Sequence, residues 1–186
     1  FIPSLGQDLK SKEDSLLYSL SKAKDSDKVA ILLELSEKFI DSEIGYDYAE
    51  QALEQATSLN KPKLRADALY SLGRYYNVNW LDNEALESYS KALEIYTTIK
   101  NQESIAQTKR QIGRTYRYLD SMDLAIRYTL ESLELAQNIN DKRKEAEALL
   151  DYGDILIRLN KCAEGIAKQT EALDILSEFG TQQELY

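Results

Sequence analysis

An internal repeat of 40 residues constrains this sequence more than any other feature. Several columns of small or apolar residues recur at that spacing. The columns are Leu53, Leu93, Leu133 and Leu173; Gly73, Gly113 and Gly153; Ala66, Ala106 and Ala146; Ala52, Ala92, Ser132 and Ala172; and Gly45, Ala85, Ala125 and Gly165. Such a period is typical of a chain that stacks similar structural units, because each unit needs its neighbours to bury its apolar face.

Each unit is predicted to be a pair of helices. Leu69, Leu72 and Tyr76 follow a helical spacing around one of the glycine positions. A glycine inside a helix costs about 1 kcal/mol relative to alanine, so its recurrence at Gly73 and Gly113 indicates that two helices cross there too closely for a larger side chain. We therefore expect an all-α fold, an α-solenoid of antiparallel helix pairs with about four repeats and an N-terminal helix.

Turn-forming residues set the predicted boundaries. Helices are predicted near residues 10–24, 27–40, 44–59, 63–78, 82–99, 103–119, 122–139, 142–159 and 162–179, with a turn at Gly180. The repeats then lie near 26–62, 63–102, 103–141 and 142–180, and residues 181–186 start a further helix. No linker or low-complexity stretch divides the chain, which predicts a single solenoid over residues 10–186.

Composition excludes several classes of function. The formal net charge of −9 disfavours attraction to nucleic acid or to an anionic membrane. The sequence contains no histidine, which excludes histidine-based triads, metal sites and proton relays. It also lacks a phosphate-binding loop, a metal-spacing cluster and the run of roughly 18 apolar residues that spans a bilayer. We predict a chain that is not an enzyme, with no catalytic residue, cofactor, metal site or membrane insertion.

The first residues allow two interpretations. Because the chain begins with Phe1 rather than Met, we expect it to be a fragment or a processed product. Ser4 and Gly6 give small residues at alternate positions, as at the end of a secretory signal, so residues 1–9 are either a signal-peptide remnant or an irregular leader. The first interpretation predicts the periplasmic or exported side of a membrane-anchored protein; the alternative is the cytoplasm.

The repeat resembles a known family. ADALYSLGRYY at residues 66–76, followed by Ala85, Tyr89 and Ala92, is similar to the tetratricopeptide repeat (TPR) signature, and residues 106–135 and 146–175 match it again. The resemblance implies a superhelix of helical hairpins that binds proteins or peptides.

A second likeness concerns the setting in which these repeats occur. Extended repeats of this kind, preceded by a helix such as DSLLYSLSK at residues 14–22, are similar to the sensory regions of bacterial histidine kinases and related regulators. This implies the sensory or interaction region of a two-component sensor kinase or regulator. The alternative is a free-standing scaffold or adaptor without a signalling output.

The resemblance also implies where a partner binds. In TPR proteins the first helices of successive repeats line a concave groove. The corresponding positions here are Tyr70, Arg74, Asn77, Arg110, Arg114, Arg117, Tyr118, Asp151, Asp154 and Arg158.

Arginines and tyrosines dominate the middle of this set, in an otherwise acidic chain. Guanidinium groups bind carboxylates at two points, which predicts a partner with an acidic or carboxylate-ended segment. The competing interpretation is that Arg110 and Arg114 pair with Glu147, Asp151 or Asp154 of the next repeat as a solvated ladder. The end helices are further expected to pair either with a second copy, giving a homo-oligomer, or with repeats outside this sequence. Trp80, near a turn, is predicted to be a packing residue.

Overall fold

The computed structural model describes residues 15–183, with side chains up to residue 178. This part of the chain forms nine helices and no strand. After α1 at residues 15–22 they are α2 (Asp25–Lys38), α3 (Glu43–Ser58), α4 (Pro62–Val78), α5 (Asp82–Thr98), α6 (Gln102–Tyr118), α7 (Met122–Asn138), α8 (Lys142–Arg158) and α9 (Cys162–Gln183). The prediction of an all-α fold of paired helices is confirmed. The expectations for residues 1–9 and 184–186 lie outside the described residues.

Six helix ends share one backbone geometry, which sets the spacing of the helices. Each has a residue with φ between 50° and 62° directly after the C-cap. These residues are Asn60, Trp80, Lys100, Asp120, Asn140 and Asn160, each 20 residues from the next. The N–H of the following residue then bonds to a carbonyl five residues back, as Lys61 does to Ala56 at 3.1 Å. This arrangement satisfies carbonyls that the helix end would leave unpaired, and it reverses the chain.

The contacts divide the chain into two compact units, residues 1–81 and 82–186. The single solenoid predicted over residues 10–186 stays a prediction. In the first unit α2 packs on α3, α3 on α4, and α2 on α4. Its core joins Val29 and Leu32 of α2 to Ala52 and Ala56 of α3 and Ala68 of α4, all fully buried. Alanines on the second and third of these helices allow the leucine side chains of α2 to fill the space between them.

In the second unit, consecutive helices from α5 to α9 pack in order, and α6 also contacts α8. Ala146 and Leu149 of α8 and Ala172 of α9 form a buried cluster, against which Leu133 of α7 packs. Contact between α6 and α8, the first helices of two successive repeats, brings their side chains together on one face.

The predicted close crossings occur where the glycine columns place them in this unit. A Cβ atom on Gly113 of α6 would lie 2.7 Å from Thr129 Oγ1 of α7. A Cβ on Gly153 of α8 would lie 2.8 Å from the carbonyl oxygen of Gly165, and one on Gly165 would lie 2.7 Å from that of Gly153. All three distances are shorter than a van der Waals contact, so the helices can approach this closely only because these residues have no side chain.

The prediction of a turn at Gly180 is wrong. α9 continues through that residue to Gln183. A single glycine costs a helix only about 1 kcal/mol, and here no proline, asparagine or aspartate follows it to favour a turn.

Candidate functional site

Seven of the predicted partner-binding residues lie in the second unit, and six of them come together. We call the surface formed by Arg110, Arg114, Arg117, Tyr118, Glu147, Asp151 and Asp154 the arginine face. Its arginines and tyrosine come from α6 and its acids from α8. Successive arginines are spaced by four and three residues, so they lie on one side of α6, and the acids have the same spacing on α8.

Each arginine of this face contacts the acid 37 residues later in the chain. Arg110 Nη2 lies 3.2 Å from Glu147 Oε2, Arg114 Nε lies 3.6 Å from Asp151 Oδ1, and Arg117 Nη1 lies 3.1 Å from Asp154 Oδ2. Arg110 Nη1 also approaches Asp151 Oδ2 at 3.5 Å, so one carboxylate lies between two guanidinium groups. The competing interpretation of the sequence, in which these arginines pair with the next repeat, therefore describes the contacts correctly. The ladder is not solvated throughout, because Arg110 is only 16% exposed.

Asp151 is the buried centre of the arginine face, with 8% of its surface exposed. Burial raises the pKa of Asp151, and Arg110, Arg114 and Arg117 oppose that rise. Desolvation lowers the pKa of Arg114, but Asp151 and Tyr118 act against it and leave the pKa above its usual value. Arg114 Nε and Asp151 Oδ2 are buried and make no hydrogen bond to the described part of the chain. The charges of Arg114 and Asp151 therefore compensate each other, while Arg114 Nε and Asp151 Oδ2 can still form hydrogen bonds.

The edge of the arginine face is more open. Tyr118 is 38% exposed, and the guanidinium carbon of Arg117 lies 5.2 Å from the centre of its ring. Arg114 is about one third exposed beside it. An incoming segment thus meets an aromatic ring and a guanidinium group at the same place.

Arg158, the seventh predicted residue of this unit, stands apart from the face. Its Nη2 atom lies 3.9 Å from Asp120 Oδ1, in a pair that is largely exposed to solvent. Such pairs contribute little to stability.

Three predicted residues, Tyr70, Arg74 and Asn77, lie on α4 in the first unit. Arg74 forms an ion pair with Glu37 of α2, again 37 residues apart. The three side chains are half-buried, and the hydroxyl oxygen of Tyr70 is buried. The same pairing rule thus operates between first helices in each unit.

Two features of the site were missed by sequence reasoning. Gln169 of α9 donates a hydrogen bond to Asp154 Oδ1 at 2.8 Å, which holds this acid in position for Arg117. Lys144 of α8 reaches back 41 residues to Glu103 of α6 at 2.9 Å. The opposite charges at matching register were visible in the sequence and could have predicted the second contact.

The prediction that Trp80 is a packing residue is wrong, since it is 76% exposed. It occupies the positive-φ position after α4. Among the described residues, no group of three or more histidine, cysteine or acidic side chains is arranged to hold a metal ion, and no helix is long and apolar enough to cross a membrane.

The tetratricopeptide repeat family model matches residues 104–178, the segment that contains most of α6 and the helices packed behind it. The match coincides with the helix pairs, the glycine crossings and the 40-residue columns described above. The matched segment therefore carries tetratricopeptide repeats, and the chain has the TPR fold. The TPR fold is typically a non-catalytic module for protein interaction, and the arginine face lies on its first helices. No curated protein matches the sequence.

Solved structures extend the comparison of the TPR fold to nearly the whole chain. The apo form of RapI is 16% identical with a TM-score of 0.78, covering 95% of this chain and 67% of its own. A Rap protein complexed with competence and sporulation factor is 17% identical with a TM-score of 0.81, covering 95% and 49%. A signal transduction ATPase with numerous domains and a TPR sensor, from Pyrococcus horikoshii, is 18% identical with a TM-score of 0.77, covering 93% and 28%. This TPR chain thus spans between about a quarter and two thirds of these chains, and the likeness concerns the fold.

Proposed function

We propose that this TPR protein binds an acidic or carboxylate-ended segment of a partner through the arginine face, as the sensory or interaction region of a bacterial signalling protein. The observation that carries the proposal is the arrangement around Asp151. This buried carboxylate holds Arg110 and Arg114 in place, and Arg114 stays about one third exposed beside Tyr118.

The acids of α8 position the arginines of α6 without using all of their N–H donors. A guanidinium group has five N–H donors, and the contact of Arg114 Nε with Asp151 Oδ1, at 3.6 Å, is longer than the 2.7–2.9 Å of a charge-assisted hydrogen bond. Donors are therefore left for a ligand carboxylate. Because Asp151 already limits the motion of these arginine side chains, they lose less conformational entropy when a ligand binds.

A pair of fluorescent peptides tests the ligand class. The first is a ten-residue peptide rich in Asp and Glu with a free carboxyl terminus; the second has Asn and Gln at those positions and an amidated terminus. Fluorescence anisotropy should show that the acidic peptide binds more tightly, by a difference that shrinks as salt is added. Equal affinities for the two peptides would reject the acidic-segment proposal.

Arg114→Gln tests the site itself. Loss of a charged hydrogen bond is worth about 1.5–3 kcal/mol, so we expect acidic-peptide binding to weaken by roughly 10- to 150-fold. Arg127→Gln is the matched control, because Arg127 lies on α7, is 56% exposed and forms an ion pair with Glu131 of its own helix. If both variants bind alike, or if Arg114→Gln binds as the wild type does, the arginine face is not the binding site.

The signalling role is supported by the solved structures that share this fold. Similar structures include a TPR sensor of a signal transduction ATPase and a Rap protein in complex with a competence and sporulation factor. Reading the flanking coding sequence tests this part directly. A kinase, DNA-binding or other output domain in the same reading frame would support it, whereas a stop codon directly after the repeats would favour the scaffold.

The compartment and the oligomeric state are separate parts of the proposal. We place the chain on the exported side of a membrane-anchored protein, with the cytoplasm as the alternative. A reporter that is active only after export, fused to the full-length gene product, distinguishes the two.

The oligomeric state needs its own experiment. Sedimentation analysis across a concentration series tests for a homo-oligomer.

A further inference from the structure

Asp154 is the most exposed acid of the arginine face. Its side chain is 43% exposed, compared with 30% for Glu147 and 11% for Asp151. Its two carboxylate oxygens have different partners: Oδ2 accepts a hydrogen bond from Arg117 Nη1 at 3.1 Å, and Oδ1 accepts one from Gln169 Nε2 at 2.8 Å. This acid is therefore open to solvent while it is bound from α6 and from α9.

Arg117 is much less accessible than the acid that it binds. Its side chain is only 13% exposed, and its Nε atom is buried and makes no hydrogen bond to the described part of the chain. Because Asp154 is the open member of this pair, a segment that approaches from solvent meets the carboxylate before it meets the guanidinium group. A ligand carboxylate can therefore use Arg117 fully only when Asp154 gives up its hydrogen bond.

Asp151 cannot be displaced in the same way. It lies between two guanidinium groups, at 3.5 Å from Arg110 and 3.6 Å from Arg114, and only 8% of its surface is exposed. Moving this buried carboxylate away would leave charges unpaired where little water reaches them, which is costly. Displacing Asp154 costs less, because water replaces part of its contact as it moves. The two acids thus differ: Asp151 orders the arginines, whereas Asp154 occupies one of them.

Gln169 gives Asp154 a second partner, on α9. The Cγ atom of Gln169 lies 2.7 Å from the place where a Cβ atom on Gly153 would stand, so this side chain packs directly against the backbone of α8. Its amide group is thereby held next to Asp154 Oδ1. When Oδ2 leaves Arg117, the hydrogen bond from Gln169 can keep the displaced carboxylate on the side of α9.

We propose that Asp154 is an internal competitor of the acidic segment and sets the affinity of the arginine face. In the free protein Asp154 occupies Arg117; in the complex a ligand carboxylate takes its place, and Asp154 stays bound to Gln169. The inference rests on the acidic-segment binding proposed above, and it identifies the contact that must break for full binding.

Asp154→Asn tests the competition. Asparagine keeps the size of the side chain and a carbonyl oxygen for Gln169, but it removes the charge that binds Arg117. Fluorescence anisotropy with the ten-residue acidic peptide should show binding at least about fivefold tighter than wild type. This is the upper end for an exposed ion pair, and we expect it to be reached because Arg117 is largely buried.

Asp174→Asn is the matched control for the change in net charge. Asp174 is exposed on α9 and follows Gln169 by five residues, which places it on another side of that helix. Its substitution should change the affinity by less than about twofold, because salt screens a distant surface charge. Arg117→Gln combined with Asp154→Asn completes the set. Without Arg117 the change at Asp154 should gain little, so the two effects should be non-additive.

A second measurement follows Asp154 through its partner on α9. The side-chain amide of Gln169 gives its own NMR signals in the ¹⁵N-labelled chain, and these should shift saturably as the acidic peptide is added to wild type. Gln137 is the reference, because its side-chain amide donates to Glu145 Oε1 at 3.1 Å, outside the arginine face, and its signals should stay in place. A general effect of charge would not move the Gln169 signals alone.

Two results would overturn this inference while leaving acidic-segment binding in place. They are an affinity of Asp154→Asn equal to that of Asp174→Asn, and Gln169 signals that stay unshifted at saturating peptide, in either case with binding still weakened by Arg114→Gln. Absence of binding by wild type and by Asp154→Asn alike would reject the proposed function as well. Circular dichroism confirms that the variants keep their helices.

Discussion

Trp80 occupies a backbone position that favours other residues. Its φ of 62° lies in the left-handed region, which costs an L-residue roughly 1–2 kcal/mol and which asparagine adopts more easily through local hydrogen bonds. The equivalent positions at the other helix ends hold Asn60, Lys100, Asp120, Asn140 and Asn160. Because 76% of the Trp80 surface is exposed, burial of the indole ring offsets little of this strain.

We therefore expect Trp80→Asn to increase the free energy of unfolding by about 1 kcal/mol. Urea denaturation followed by circular dichroism measures this; fluorescence does not serve, because Trp80 is the chain's one tryptophan. The reverse change at an equivalent turn, Asn60→Trp, should destabilise by a similar amount. A less stable Trp80→Asn protein would show that contacts of the indole ring outweigh the backbone strain.

Gly113 shows the opposite situation, a residue fixed by its neighbour. The contact of a new Cβ with Thr129 Oγ1 at 2.7 Å, and with backbone atoms of α7 at 3.2 and 3.3 Å, leaves no room for a side chain. Gly113→Leu should destabilise the protein by several kcal/mol, at or above the range of about 1–3 kcal/mol for overpacking.

Gly113→Ala combined with Thr129→Ala tests the cause of this effect. Removing the hydroxyl should recover part of the loss caused by the alanine, so the two changes should be non-additive. Thermal melting of the two single variants and the double variant gives the coupling. An unchanged melting temperature in Gly113→Leu would mean that the two helices do not cross at this residue.

At the scale of elements, the ends of the helices follow from recognisable residues. Asp141 is the N-cap of α8 and accepts a hydrogen bond from the backbone N–H of Lys144 at 3.0 Å, as Asn101 does from Ser104 in α6. Partial burial alone would raise the pKa of Asp141, but hydrogen bonds from Lys144 and from the backbone of Arg143 keep it below its ordinary value of 3.8.

This depressed pKa makes the α8 cap sensitive to acid. A carboxyl group with a lower pKa in the folded state stabilises the fold above its unfolded pKa, and the contribution is lost as the pH falls through the folded pKa. We expect Asp141→Asn to show a smaller loss of stability than wild type between pH 6 and about pH 2.5, since asparagine caps the helix at any pH. Urea titrations at a series of pH values measure it, and parallel curves for the two proteins would contradict it.

The sequence predicted the elements better than it predicted the site. The repeating glycine and alanine columns predicted which helices cross, because only small residues permit two helices to approach as closely as they do at Gly153. The contacts of Arg110 depend on how closely α6 and α8 approach, and this distance is not encoded in any local pattern. Trp80 adopts a positive φ that its residue type disfavours, so residue type predicted neither its backbone geometry nor its exposure.

At the scale of the molecule, each unit has its own core. In stacked repeats, stability is close to a sum of terms from each repeat and its nearest neighbours. Leu32 is fully buried among α2, α3 and α4, all within the first unit. A cavity there should act first on the helices that line it.

Leu32→Ala should therefore cost about 2–5 kcal/mol in the first unit through lost burial and an unfilled cavity. Hydrogen exchange followed by mass spectrometry should show faster exchange in α2, α3 and α4, with a smaller change in α8 and α9. Leu149→Ala, in the core of the second unit, should give the reverse pattern. Uniform acceleration in both variants would show that the chain unfolds as one cooperative body.

The 37-residue pairing has a consequence for how this protein can evolve. The positions on α8 that match the arginines of α6 are Leu150, Asp154 and Ile157, so α8 supplies acids to α6 but has no cation at these three positions. The charge pairing between α6 and α8 thus runs in one direction, with the cations on α6 and the acids on α8, and its pattern does not recur at the matching positions of α8. Duplicating a hairpin of the α8–α9 type would lengthen the array without multiplying its cationic patch, so selectivity for a ligand would evolve by changes within one repeat, while reach would evolve by changes in repeat number.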